Sequence, residues 1–241
     1  CLNYGDPTDP EIFWELHQSV QGMADACREF NTPVISGNVS LYNENNGQAI
    51  HPTPMVGMVG LIKNIDRVIP SFVQHPGDKV YLVGQTRDDY AGSELQKMMT
   101  GDISGIVKSF DLHHVHQYMQ RLLTTMENGL VSSAHDLSEG GLGVALAETV
   151  FKTDLGLKID LADQPATRLF SETPGRFIVT VAPEKATEFE QVLGKDAHLI
   201  GEVTNSHWLM VKLANGKLNE SVAKLQKTWE EAIPCQLKSK D

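Results

Sequence analysis

Ser36-Gly37-Asn38-Val39-Ser40-Leu41-Tyr42-Asn43-Glu44 follows the apolar entry Pro33-Val34-Ile35, so Val34–Ile35 reads as a strand running out into a polar loop. Gly37 has no Cβ and lets a ligand approach the backbone closely. Asn38 offers a neutral oxygen suited to a hard cation such as Mg²⁺, and Ser40 adds a hydroxyl that donates or accepts. Small polar groups crowded at a strand end make a seat for phosphates and their metal. A bare G-N-x-S is more often an ordinary polar turn, so the flanks decide.

Upstream, Thr8-Asp9-Pro10-Glu11 is a helix start, with a capping side chain ahead of proline in the first turn. Ile12, Leu16, Val20, Met23, Cys27 and Phe30 recur at helical spacing and predict one buried face, and Asn31-Thr32-Pro33 ends the helix. Downstream, residues 43–48 form a polar excursion and Pro54–Ile62 reads as a glycine-punctuated apolar strand. This stretch, too small to close its own core, predicts a partial first domain over 1–68. A second domain over 69–241 begins near Ile69–Gly77. Its expected strands are 79–83, 157–159, 177–181, 198–203 and 208–213, with helices at 89–99, 111–127, 142–151, 185–193 and 220–232. Asn215-Gly216 marks a turn after the last of these strands. The alternation gives an α/β (α+β) fold with helices on one face of a mixed sheet, and the Lys238–Asp241 end is expected to fray.

The net charge of −11 over 241 residues disfavours nucleic acid and acidic membranes as partners. With 41% hydrophobic and 21% charged residues the composition is that of a globular chain, and no apolar run reaches the roughly 20 residues that span a bilayer. Three cysteines without pairing or metal-ligand spacing point to a reducing cytoplasm.

Four further motifs accompany the loop: Cys1-Leu2-Asn3-Tyr4-Gly5-Asp6-Pro7, Pro52-Thr53-Pro54-Met55-Val56-Gly57-Met58-Val59-Gly60, Gly92-Ser93-Glu94 and Ser133-Ala134-His135-Asp136-Leu137-Ser138-Glu139-Gly140-Gly141. In this order and spacing the chain resembles, over essentially its whole length, the phosphoribosylformylglycinamidine synthase family. The match is to the C-terminal part of the large synthetase subunit, within the wider superfamily of aminoimidazole ribonucleotide synthetase-like ATP-using enzymes. The resemblance implies a partial synthetase-like N-domain followed by a C-domain of helices packed on a mixed β-sheet. It implies that Gly37 contacts ATP, Asn38 holds Mg²⁺ and Ser40 contacts formylglycinamide ribonucleotide. The implied reaction uses ATP to activate the substrate amide oxygen, and ammonia from a separate glutaminase subunit then displaces phosphate. A small accessory subunit is a further implied partner. An acidic residue serving ATP and a proton-transferring His lie, in that family, upstream of the segment matching Cys1. The chain is therefore expected to be a fragment, inactive alone. Two rivals stay open: another synthetase or kinase of the superfamily, and a non-catalytic nucleotide-binding or assembly module.

Asp136 and Glu139 can share a cation while the paired glycines open a helix N-terminus onto phosphate. Alternatively, Asp136 closes an Asx turn and Ser138 caps the helix. By the same resemblance, a ligand here would be an auxiliary nucleotide. Ser171-Glu172-Thr173-Pro174-Gly175-Arg176 reads as a turn whose arginine makes a local ion pair. His113, His114 and His116 lack the i, i+4 spacing of helical zinc pairs and read as a solvated helix face.

Overall fold

The computed structural model describes residues 1–238, with side chains through residue 233. The chain divides into two compact units, Cys1–Lys63 with Leu112–His116, and Asn64–Asp111 with Gln117–Asp241.

In the first unit, strand β1 (Leu2–Asn3) precedes helix α1 (Pro10–Phe30). Asp9 caps α1 by accepting from the Glu11 amide at 2.8 Å, Pro10 takes the position where a missing N–H costs nothing, and Asn31 closes the helix at φ 52°. The expected apolar face forms, but none of its residues is fully buried and Val20 is exposed. Next come β2 (Val39–Ser40), β3 (Glu44–Asn45), β4 (Gln48–Ala49) and β5 (Thr53–Pro54). β1 is central, parallel to β2 and antiparallel to β5.

Three expectations are corrected here. Val34–Ile35 is not a strand: Ile35 is 90% exposed, and strand pairing starts inside the polar motif at Val39. The strand expected over 54–62 stops at Pro54, because no described strand pairs with residues 55–62, and Val59 is 97% exposed. The polar excursion at 43–48 contains the β3–β4 hairpin, turned by Asn46 at φ 53° and Gly47 at φ 76°.

The second unit contains β6 (Lys79–Val83), α2 (Glu94–Thr100), all but the first turn of α3 (Leu112–Glu127), β7 (Ser133–Asp136), α4 (Gly141–Glu148) and β8 (Gly156–Leu161). A 3₁₀ turn at Ala166–Phe170 leads to β9 (Phe177–Val181), α5 (Ala186–Leu193), β10 (Ala197–Thr204), β11 (Trp208–Leu213), β12 (Gly216–Ser221) and α6 (Val222–Lys238). The sheet order is β12-β11-β8-β10-β6-β9-β7, with one parallel pair, β8 and β11. The core includes Val80, Leu82, Leu146, Ile159, Ile178 and Val211, and each such side chain contributes about 1.5–3 kcal/mol by burial.

Beyond the five expected strands the sheet contains β7 and β12. Asn215-Gly216 turns a hairpin rather than ending the sheet, and the helix expected from residue 89 starts at Glu94, capped by Ser93. Helices also lie on both faces. Val80 and Leu82 point into the main core, whereas Tyr81 between them packs its ring, tilted, against Phe189 of α5 at 4.9 Å. The Tyr81 hydroxyl donates to Glu190 at 2.7 Å, and burial pushes its ionisation above the ordinary range. Of the end expected to fray, only Lys238 falls within the described residues.

Candidate functional site

The Gly37-Asn38-Val39-Ser40 segment is held from behind by the chain start. The Leu2 amide donates to Asn38 O at 2.8 Å and the Tyr4 amide to Ser40 O at 3.0 Å, so β1 fixes the backbone from which the Asn38 and Ser40 side chains project. Ser40 Oγ donates to Asn38 Oδ1 at 3.1 Å, which brings two of the predicted site residues together. Asn43 Nδ2 closes the loop onto Ser40 O at 3.0 Å and Tyr4 O at 3.3 Å. Gly5 is required where the segments cross, since a Cβ there would lie 2.7 Å from Ala49 Cβ and 2.8 Å from Ile12 Cδ1. A Cβ on Gly37 would meet nothing within 4 Å, so the space before this glycine is open within its unit. Asn38 is exposed and its oxygen retains a free lone pair. That suits Mg²⁺, which takes one or two protein oxygens and leaves the rest of its shell to phosphate and water.

Also in this unit, Glu29 on α1 accepts from His113 Nδ1 at 2.8 Å and His116 Nδ1 at 2.9 Å. The expectation of a solvated histidine face is corrected: the i, i+3 pair shares one carboxylate oxygen, and Phe30 packs on the His116 ring at 4.9 Å. Both rings must carry their proton on Nδ1. The hydrogen bond from His116, then that from His113, holds the Glu29 carboxyl below its usual 4.5. A depressed carboxyl stabilises the fold fully above its unfolded value and loses that contribution as pH falls through the folded one. Glu29→Gln should therefore destabilise the chain at pH 6, with parent and variant converging below the carboxylate range. Urea melts at several pH values test this, and a gap that persists in acid would refute it.

In the second unit, His135 and Asp136 end β7 and Gly140–Gly141 open α4. Neither the Asx nor the Ser138 cap forms. Gly140 itself is the cap residue at φ 76°, without a side-chain hydrogen bond. The first turn is tied instead by Glu172, whose Oε1 accepts from the Gly140 amide and the Glu94 amide, each at 2.9 Å. Sequence reading missed this double cap because its partners are 32 and 78 residues away. Glu172→Ala should cost about 1–3 kcal/mol by stranding both donors. Glu172→Gln, retaining an acceptor, should recover part of it in the same denaturant titration.

The expected ion pair of Arg176 is also corrected. The guanidinium is 1% exposed and donates to Ser171 O at 2.5 Å, Thr173 O at 2.9 Å and Thr86 Oγ1 at 2.9 Å. Burial lowers its pKa to about 10 against the fields of Asp89, the Tyr118 hydroxyl and Glu172. Tyr118 donates to Gly175 O at 2.5 Å and is pushed up to about 12 by burial and the Asp196 charge. Asp89 is tied to Arg87 Nε at 3.0 Å and Thr173 Oγ1 at 2.6 Å. This is a loop-organising network rather than a surface turn.

An exposed polar strand-end loop on a small mixed sheet, followed by a seven-stranded mixed sheet with a glycine-opened helix, defines the class. Residues 75–212 match the family described as AIR synthase related protein, C-terminal domain, and residues 1–62 match AIR synthase related protein, N-terminal domain. The chain belongs to this AIR synthase related family. It is 97% identical over 241 residues to phosphoribosylformylglycinamidine synthase subunit PurL of Limosilactobacillus reuteri, covering 100% of this chain and 32% of that protein. The chain thus spans about a third of the curated relatives it matches. Among solved structures, Thermotoga maritima PurL complexed with FGAR superposes with a TM-score of 0.68 at 21% identity, over 93% of this chain and 38% of that one. The same protein complexed with ATP gives a TM-score of 0.63 at 21% identity, over 86% of this chain and 35% of that one. Both share the fold.

Proposed function

We propose that this chain supplies nucleotide, Mg²⁺ and substrate contacts to an ATP-dependent C–N ligase of purine biosynthesis. The ligase converts formylglycinamide ribonucleotide, ATP and glutamine-derived ammonia to formylglycinamidine ribonucleotide, ADP and phosphate. The observation that carries this reading is the 97% identity over all 241 residues to a phosphoribosylformylglycinamidine synthase subunit, with the Gly37–Ser40 loop presented as a site requires. Residues 1–68 form the ATP- and substrate-binding part and 69–241 the synthetase-like C-terminal domain.

In this reading the Gly37 backbone lies against ATP, the Asn38 amide oxygen holds Mg²⁺, and Ser40 orients the ribonucleotide. Bound Mg²⁺ neutralises phosphate charge and so eases phosphoryl transfer. The chain's own part is to fix donors before reaction, and β1 does this by holding both ends of the Asn38–Ser40 backbone. The proton-transferring group comes from the rest of the subunit, so the chain is inactive alone. The exposed apolar stretches around Ile35 and Val59 support pairing with that remainder. The glutaminase subunit and a small accessory subunit complete a cytoplasmic assembly. No helix among the described residues is long and apolar enough to cross a membrane.

The test is ADP release with Mg-ATP, formylglycinamide ribonucleotide and ammonium, with and without the remaining subunit supplied in trans. Turnover only in the mixture supports a shared site, and turnover by the chain alone overturns it. Nucleotide binding without phosphate release from a demonstrably reassembled subunit would favour the non-catalytic module.

A further inference from the structure

One end of the seven-stranded sheet holds a half-open cavity of about 360 Å³ that none of the residues assigned above explains. It lies where β6, β8 and β11 end and antiparallel β10 begins, roofed by the 3₁₀ turn at Ala166–Phe170. Its floor is aliphatic, with Leu82, Leu161, Ile200 and Leu213 reaching it from four adjacent strands. The volume is at the lower end of the ligand-pocket range, room for one small organic molecule.

The rim decides which molecule. Gln85 and His198 line it with side chains exposed and no hydrogen-bond partner among those described, so an amide and an imidazole both present donor and acceptor atoms. Arg168 also lines it, but its charge is spent on Asp88 at 3.2 Å and Gln164 at 2.9 Å. Asp163 adds a carboxylate, whereas the Asp160 side chain alternates with Leu161 onto the other face of the sheet and pairs with Lys212 at 3.2 Å. An anionic ligand would meet the Asp163 carboxylate with no uncommitted cation facing it. A purely aliphatic one would leave the rim dipoles unpaired. A ligand with an apolar ring face and a periphery of mixed donors and acceptors meets both demands.

We propose that this cavity binds an uncharged, nucleoside-sized heteroaromatic molecule, its ring face on the leucines and its polar edge read by Gln85 and His198. The site is separate from the Gly37–Ser40 loop and does not depend on the function proposed above.

Adenosine is the probe, titrated into the 241-residue chain by calorimetry and by saturation-transfer NMR, with AMP and benzoate in parallel. Saturable one-to-one adenosine binding is expected, weaker for AMP. It should fall at least about tenfold in the Gln85→Ala/His198→Ala double variant and stay unchanged in Gly57→Ala, a position that lines neither site and where an added Cβ meets nothing within 4 Å. Both positions of the double variant are exposed, so the fold survives, and Leu213→Phe offers a second, cavity-filling loss. Four results would overturn the proposal: no saturable binding; binding indifferent to the double variant; tighter binding of AMP or benzoate; or adenosine displaced when the remaining subunit is added, which would make the cavity a seat for protein.

Discussion

Gly141→Ala is expected to destabilise the chain by about 3–5 kcal/mol, lowering its urea midpoint by more than about 1 M. Two independent causes add. Gly141 sits at φ 60°, where a Cβ costs about 1–2 kcal/mol, and that Cβ would fall 2.3 Å from Ser171 O and 3.0 Å from Leu169 O. Both obstacles are backbone, in the segment joining the 3₁₀ turn to the Arg176 network, so neither can rotate aside. Gly57→Ala is the control: its Cβ meets nothing within 4 Å, and a near-neutral effect is expected. Matching midpoints for the two variants would show that the α4 entrance gives way at little cost.

Asn38→Ala in the complete, reassembled synthetase is expected to lower kcat by about 10²–10³-fold, the usual loss on removing one preorganised polar group from a site of charge development. Stability should change by less than about 0.5 kcal/mol, because Asn38 is exposed and its only described side-chain hydrogen bond is from Ser40. The Mg²⁺ concentration giving half-maximal rate should rise in the same variant. Ser40→Ala should instead raise KM for the ribonucleotide with the Mg²⁺ dependence unmoved. Equal kcat in parent and Asn38→Ala would remove the residue from the proposed metal shell.

Local grammar was the legible part of this molecule. Asp9 before Pro10, Asn31 after Phe30 and the short apolar runs at 177–181 and 208–213 each declare an element through nearest neighbours, and the structure places those elements there. Asn38 and Ser40 were legible as one small polar cluster, two residues apart, although the strand begins at Val39 and not ahead of the loop. Misreadings fell where the outcome depends on distant chain. Apolar residues 55–62 carry strand propensity, but a strand exists only with a hydrogen-bonding neighbour. The Ser138 cap, one of the two readings open for that turn, gives way to Glu172 from across the fold. Glu29 gave no sign in sequence that it would gather two histidines from 84 and 87 positions away. Asn46 and Gly47, both at positive φ, turn a hairpin in what reads from sequence as a polar excursion.

The parallel neighbour of β8 is β11, with Leu157 opposite Leu209 and Leu161 opposite Leu213. Everything between them, β9, α5 and β10, must be laid down before β8 gains its second flank. During synthesis, which proceeds at about 5–20 residues per second, β8 therefore leaves the ribosome with both flanks open, to be covered by β10 and only then by β11. Its alternating Leu157, Ile159 and Leu161 stay available to other chains until the final hairpin has emerged. A chain cut before residue 208 would keep that flank of β8 unpaired, and it is expected to aggregate more readily than the 241-residue chain.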